Sequence, residues 1–492
     1  MTAQSLPVQP PPTEPAQPPP SYDLVVIGLG AGGLTAAEFA AGLGLRVATV
    51  ERGRLGGDRL WTNCVPSKAL VASAWVAHTM RTAHTVGITS VEPTIHLPTV
   101  WRRARAVQAA IAATGDNPAR YRDMGIDLYS GEARLAGANE VTVQRADGQL
   151  LTLQTRFVLL CTGSRPHVPP IMGLADGSYL TSDTLFDLTA PPASMAIIGG
   201  GPMGTELAQA LCRLGVEVTL FQRAGALLPR EERTLVERLT QVLTDEGVRI
   251  HCSADVRSVE HRPDGSADVH AVVGNDGQHV HVHVGGVLVA AGRAANTGGL
   301  GLEELDIAVS ERGVRVDDRG RTSVRTIYAA GDVTGRRGLS STAGNEADTA
   351  VRDMFFPGKG TLDDSAPSTV FCDPELARVG LTADEAEAAY GSDTDVWRID
   401  LAHNDRARAQ ALTEGAVVVI TAKGRIVGAH ILAPAAGEMI HELSLAVHRQ
   451  LRLDELTEAI HVYPTLAGSI GNLATEATYE KAQRLRWLMK RR

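Results

Sequence analysis

Residues 23–28, DLVVIG, form a short apolar run that ends on glycine and passes into GLGAGG and a helix-compatible stretch reaching Leu43. A second apolar run, RVATVE, closes on Glu51. Apolar run, glycine turn, helix and apolar run together predict a βαβ unit with buried parallel strands. The pattern recurs: MAIIGGGPMG opens a second unit and VEVTLFQ closes it on Gln222. Between residues 64 and 80, Pro66 suits the first turn of a helix, where its missing N–H costs nothing, and ALVASAWVAHTM continues that helix. The stretch GQHVHVHVGG alternates with the period of a strand, which places His279, His281 and His283 on one face. Alternate imidazoles can bind a transition metal, but the solvated face of a hairpin is the expectation, and no metal site is assigned.

The glycines give the two units a chemistry. In the first, Gly28, Gly30 and Gly33 form G-x-G-x-x-G, and Glu51 follows the first glycine by 23 residues. Such glycines allow a tight turn and close approach to a pyrophosphate at a helix N-terminus, and the acid accepts hydrogen bonds from ribose hydroxyls. In the second, Gly199, Gly201 and Gly204 repeat the spacing, and Gln222 stands at the same interval of 23. Two fingerprints imply two dinucleotides.

Composition narrows the class. A chain of 492 residues has room for about three domains. A net charge of −9 argues against nucleic acid as the main partner, and no apolar run is long enough to span a bilayer. The five cysteines (64, 161, 212, 252 and 372) are scattered, which fits a reducing cytoplasm; Cys161, Cys212 and Cys372 sit in apolar settings and read as core residues. Residues 7–20 hold eight prolines without a basic start or apolar stretch, so the leader reads as a disordered tail. The C-terminal RLRWLMKRR ends a helix-like stretch whose cations complement the helix dipole. Only five of the 47 basic residues are lysine (68, 359, 423, 481 and 490), which gives a lysine inside a motif added weight.

That lysine is Lys68, in GGDRLWTNCVPSKAL (56–70). The segment resembles the active-site stretch of the flavoprotein disulfide reductases: lipoamide dehydrogenase, glutathione reductase and mercuric reductase. Other segments resemble the family in order: LLCTGSRP (159–166), GRAANT (292–297), TSVRTIYAAGD (322–332), PSTVFCDPELARVGLT (367–382) and GRIVGAHILAPAAGEMIHE (424–442). The resemblance implies an α/β fold of two Rossmann-like domains, as in glutathione reductase, plus a C-terminal α+β dimerisation domain. Its boundaries would be a tail at 1–21, an FAD domain at 22–166 and 291–362, an NAD(P) domain at 167–290, and a dimerisation domain at 363–492. FAD would be held by Gly28, Gly30, Gly32, Gly33, Glu51, Arg52, Gly57, Lys68, Ala133, Thr162, Gly163, Asp332 and Ser340. The nicotinamide dinucleotide would be held by Gly199, Gly201, Gly204, Gln222 and Arg223, with Gly292 and Arg293 completing the cofactor set. Gln222 and Arg223 replace the acid that would repel a 2′-phosphate, which favours NADPH with NADH also used.

The resemblance also exposes departures. In the family two cysteines form a redox disulfide beside the flavin; here Cys64 keeps the second position and Arg59 stands at the first. One sulfur cannot form or exchange a disulfide alone. The family's H-x-H-P-T-x-x-E, which reaches the partner's flavin, reads HVYPTLAG: His461 is kept, Tyr463 replaces the acid–base histidine and Gly468 its glutamate. A phenol with an ordinary pKa near 10 is a poor base at neutral pH. By contrast, Lys68 and Glu206, which resemble the ion pair beside flavin N5, are both present. Hydride entry is thus expected and disulfide exchange is not. The expectation is a cytoplasmic homodimeric NAD(P)H oxidoreductase similar to the lipoamide-dehydrogenase-like quinone reductases. It would pass electrons from FAD to a quinone, with Arg59 and Tyr463 contacting the acceptor. Alternatives are monothiol chemistry at Cys64, a pyridine nucleotide transhydrogenase, and a redox-inactive FAD-binding scaffold.

Overall fold

A computed structural model describes residues 20–484 except 337, 359 and 364. The proline-rich leader up to residue 19 and the basic segment from 485 lie outside the described residues.

The first βαβ pattern forms as strand Ser21–Ile27, helix Ala31–Gly42 and strand Val47–Glu51, the two strands parallel. They are central in a seven-stranded sheet. Its long strand Leu150–Leu160 changes partner along its length. Residues 150–154 pair antiparallel with Glu140–Gln144, whereas 158–160 pair parallel with Ile327–Ala329, far along the chain. The strand that carries TSVRTIYAAGD is thereby returned to the sheet that begins the protein. Both faces are apolar: Val25, Ile27, Val158 and Ile327 pack on one side, and Leu24, Val26, Leu159 and Tyr328 on the other.

The second pattern forms a four-stranded parallel sheet from Ser194–Ile198, Glu217–Phe221, Arg249–His251 and Gly286–Val289. Short antiparallel strands Ser164–Pro166 and Arg293–Ala295 pair where the chain enters and leaves this unit. The histidine-rich segment is strand Gln278–Val284, the edge of a three-stranded antiparallel sheet with Ala254–His261 and Ala267–Val273. Its histidines are more than a solvated face. His281 Nε2 and His283 Nδ1 lie 3.0 and 3.1 Å from one oxygen of Asp268, whose other oxygen accepts from Arg262. Among the described residues no group of three or more histidine, cysteine or acidic side chains is arranged to hold a metal.

The C-terminal unit is a five-stranded antiparallel sheet covered by helices Ala436–His448 and Gly468–Arg484. The helix predicted around Pro66 is Cys64–Thr82, which begins at the cysteine itself. It packs with Leu97–Thr114 against helix Pro202–Arg213, burying Leu70, Trp101, Leu207 and Leu211 in one core. That packing brings the motif helix against the second dinucleotide unit. Among the described residues no helix is long and apolar enough to cross a membrane.

Candidate functional site: two glycine cradles and a cavity

The two fingerprints are built alike, and each glycine has a separate steric reason. Gly28 sits at φ +91°, and a Cβ there would lie 2.4 Å from the Cys161 carbonyl oxygen. Gly33 lies under the turn, where a Cβ would come within 1.9 Å of the Gly28 oxygen. Gly30, by contrast, meets nothing within 4 Å, so its missing side chain leaves open space at the N-terminus of helix Ala31–Gly42. In the second unit Gly199 (φ +116°) would meet the Ala290 oxygen at 2.4 Å, Gly204 the Gly199 oxygen at 1.9 Å, and Gly201 nothing. Turn, close helix–strand packing and an open approach for phosphate are the three requirements of a dinucleotide cradle. Both cradles fit the groups they are expected to hold.

The strand-end residues also match in posture. Glu51 accepts from the Leu29 N–H and the Gly53 N–H, each at 2.7 Å. Gln222 accepts from the Gly200 N–H at 3.1 Å and donates to the Ala226 oxygen at 3.3 Å. The next residue, Arg223, is exposed.

A cavity of about 780 Å³ runs from the first cradle. Gly28, Gly30, Gly32, Glu51, Arg52, Gly57, Ala133, Thr162, Gly163, Asp332 and Ser340 all line it, as does Arg59. Gly33 lies beneath the turn instead. Gly292, at φ +112°, and Arg293 stand off the cavity wall. The guanidinium of Arg293 is taken up by protein. Its Nε donates to Ser164 Oγ at 2.6 Å, Nη1 to Ser182 Oγ at 3.4 Å, and Nη2 to the Ser164 oxygen and to Asp58. Asp332 accepts from the same Ser164 hydroxyl. Arg293 therefore ties Asp58, in the 56–70 segment, to the crossover strand and to the wall at Asp332. Burial pushes the Asp58 carboxyl up, against the pull of Arg293.

Cys64, Lys68 and Glu206 lie beside the cavity rather than in its wall. Cys64 is the first residue of its helix and Lys68 is one turn on, so the two share a face. The Cys64 sulfur is 3.4 Å from the Ser340 hydroxyl, which does line the cavity. Lys68 Nζ donates to Glu206 Oε2 at 2.8 Å and stands 4.3 Å from the centre of the Phe371 ring. The second carboxylate oxygen of Glu206 accepts the Phe371 N–H at 2.9 Å. Both oxygens of this buried carboxylate are therefore hydrogen-bonded, as burial of a charged group requires. All five cysteines are free. Cys161 and Cys372 are buried, and burial pushes both thiols up; Cys212 is only half-buried, its thiol donating to the Glu246 oxygen, which departs from the core reading.

Arg59 makes a contact that the sequence pattern does not announce. Its Nη2 lies 2.6 Å from Asp116 Oδ2, in the turn after helix Leu97–Thr114. The Asp116 side chain is 6% exposed, and Arg59 is its one hydrogen-bonding side-chain partner among the described residues. Gly56 makes room for it: a Cβ there would lie 2.6 Å from the same oxygen. Near the C-terminus, Tyr463 is exposed and donates to Asp405 at 3.1 Å, which raises its phenol above the ordinary value and further from use as a neutral-pH base. His461 pairs with Glu442 at 3.0 Å. Ile460 and Val462 beside it are 98% and 75% exposed, an apolar strip of the kind buried between subunits.

Four residues at this site escape a reading of motifs: Asp58, Asp116, Ser164 and Phe371. Asp58 offered a weak signal, as an acid next to Arg59 within a motif; Asp116 and Phe371 offered none, because their partners are remote in sequence.

Two cradles, one continuous with a long cavity and the other joined to it by the Lys68–Glu206 pair, define a flavoprotein oxidoreductase that handles two dinucleotides. The chain belongs to the pyridine nucleotide-disulphide oxidoreductase family: residues 22–351 match the family itself and residues 366–474 its dimerisation domain. Family members are FAD-dependent and use NAD(P)H, and these are the cofactors of this chain. It is 33% identical to a dihydrolipoyl dehydrogenase of Bacillus subtilis over 93% of its own length and 98% of the relative's. A mercuric reductase of Streptomyces lividans is 35% identical, with 94% and 97% covered. Among solved structures, LpdA from Mycobacterium tuberculosis superposes with a TM-score of 0.84 at 29% identity, covering 92% of this chain and 99% of that one. A Cu(II) complex of the flavoprotein disulfide reductase RclA from Escherichia coli gives 0.82 at 28% identity, covering 93% and 99%.

Proposed function

We propose that this protein is an NAD(P)H-dependent flavoenzyme that passes electrons from FAD directly to a small acceptor, a quinone, without a redox disulfide. The carrying observation is the Arg59–Asp116 ion pair, which occupies the place where the family has its first active-site sulfur. The first cradle and Glu51 would hold FAD, which would supply the hydride acceptor and the electron donor of the reaction. The protein's own part on the nicotinamide side is the Lys68 ammonium, fixed by Glu206, a positive charge held where negative charge develops. On the acceptor side, Arg59 reaches the cavity wall and Tyr463 would be brought in by the partner subunit; both are assigned to contact the acceptor. The uncharged Gln222 and exposed Arg223 support NADPH, with NADH also used.

The residue assignments and boundaries stated from the sequence belong to this reading. FAD would lie in 22–166 with 291–362, the nicotinamide dinucleotide in 167–290, and the subunit contact in 363–492. The dimerisation-domain match supports a homodimer.

Steady-state turnover against menadione, lipoamide, glutathione disulfide, oxygen and NAD analogues tests the proposal. Menadione turnover with none for the two disulfides is the expected result; appreciable disulfide turnover would overturn it. One contact favours a second reading: the Cys64 thiol at 3.4 Å from Ser340 is placed for monothiol chemistry. Cys64→Ser separates the two, since a direct quinone reductase keeps menadione turnover within about threefold, whereas a monothiol enzyme loses it.

A further inference from the structure

One face of helix Pro202–Arg213 carries Glu206, Gln209 and Arg213 at i, i+3 and i+7. All three are buried, and all three bind the same short segment, Phe371–Asp373. Glu206 accepts the Phe371 N–H. Gln209 uses both ends of its amide on Asp373, accepting its N–H at 2.8 Å and donating to its oxygen at 2.8 Å. Arg213 Nη1 donates to Asp373 Oδ2 at 2.8 Å, while its Nε and Nη2 grip Glu246 at 2.7 and 2.6 Å. The segment, a bend between strands Ser368–Val370 and Glu375–Gly380, is therefore held against the helix at both ends. At one end the Phe371 ring closes over Lys68. The far end of the motif helix is tied in as well, because Arg81 donates to the Arg213 oxygen at 2.6 Å.

We propose that Gln209, Arg213 and Asp373 are positioning residues for hydride entry: they clamp Phe371–Asp373 along helix Pro202–Arg213 so that Phe371 holds the Lys68 ammonium in place. The Arg213–Glu246 grip lies within the second dinucleotide unit, so the bonds that cross to the C-terminal unit here are those of Glu206, Gln209 and Arg213 to Phe371–Asp373. The paired amide bonds of Gln209 to the N–H and the oxygen of one residue, Asp373, fix register, and register decides where the Phe371 ring falls. Lys68 is thereby bounded by a carboxylate on one side and a ring face on another, and loses the freedom of an exposed lysine. This concerns the nicotinamide side only and does not rest on the quinone reading, since its test contains no acceptor.

The test compares Phe371→Leu, Gln209→Met, Arg213→Met and the conservative Phe371→Tyr. Acylation of Lys68 is followed by mass spectrometry in protein with and without FAD. Only five lysines compete, and Lys423, 74% exposed, is the internal reference. Flavin reduction by NADPH is followed anaerobically, per bound FAD, alongside the melting temperature. Phe371→Leu and Gln209→Met should raise Lys68 labelling relative to Lys423 by about threefold or more and slow flavin reduction about tenfold, while Phe371→Tyr restores both. Lowered melting temperatures with unchanged labelling and reduction would make the clamp merely structural and overturn the proposal. So would a change in labelling with no change in reduction rate. If the buried substitutions fail to fold, Phe371→Leu, which alters a half-buried ring and none of the buried hydrogen bonds, carries the test alone.

Discussion

Two basic residues nine positions apart in one segment, Arg59 and Lys68, both end in ion pairs, and the pairs differ in kind. Lys68 reaches from the motif helix to Glu206 on helix Pro202–Arg213, 138 residues away, and the acid is itself held by the Phe371 backbone. Arg59 reaches Asp116 within the first unit, where Gly56 leaves space for the carboxylate. The first pair joins the second glycine cradle's helix to the motif helix beside the cavity, so its geometry depends on how distant segments pack. The second is local and neutralises a guanidinium that would otherwise stand at the cavity wall unpaired. One short segment thus carries two ion pairs of different kind, because the two depend on different neighbours.

The comparison predicts unequal losses. Lys68→Met should have the largest effect, slowing anaerobic flavin reduction by NADPH by about 100-fold or more; a change below about threefold would place hydride entry elsewhere. Arg59→Cys should leave that rate nearly intact but cost about 2 kcal/mol of stability, because a buried Asp116 loses its partner while Arg59 was itself partly exposed. Asp116→Asn added to Arg59→Cys should recover most of it in denaturant unfolding. The same double variant should still not reduce lipoamide, since Tyr463 and Gly468 supply no acid–base pair; lipoamide turnover on restoring one cysteine would break the contrast between the two pairs.

Smaller effects sharpen it. Tyr463→Phe should lower kcat with menadione about fivefold, the worth of one hydrogen bond, and unchanged kinetics would remove Tyr463 from the acceptor site. The smallest effect concerns Glu231, a carboxylate 11% exposed that, unlike Glu206, has an oxygen with no hydrogen-bond partner among the described residues. Burial pushes it up to about 7, with Arg378, 3.9 Å away, only partly opposing. Between its ordinary value and about 7 the folded state holds a proton that the unfolded chain has released, so stability falls as pH rises through that window. Glu231→Gln should flatten this slope in melts between pH 5 and 8; an unchanged slope would remove Glu231 as its source.

Much of the fold was legible because its determinants are local. Gly28 and Gly33 are required by contacts within their own turn and the adjoining strand, so spacing alone exposes them. The same holds for Gly199 and Gly204, and for Pro66 in the first turn of Cys64–Thr82. The Lys68–Glu206 pair was legible through its resemblance to a known arrangement, although nothing local links residues 138 apart. The surroundings of Arg293 were not legible: the motif suggested a cofactor ligand, and its bonds to Asp58, Ser164 and Ser182 join segments remote in sequence. The histidine strand was read correctly in period, but its bonds to Asp268 depend on the neighbouring strand's register.

By itself, the sequence determined two dinucleotide cradles and set Arg59, Tyr463 and Gly468 at intervals where the resemblance leads one to expect a cysteine, a histidine and a glutamate. Each is a matter of which residue stands at a given interval along a backbone whose local sterics are the same in any fold. Tertiary structure alone decided what those residues touch. Asp116 meets Arg59, and Phe371 meets Lys68, only because helices and sheets from distant segments pack together; a buried charge selects its partner by proximity in space, which the chain reaches only when folded.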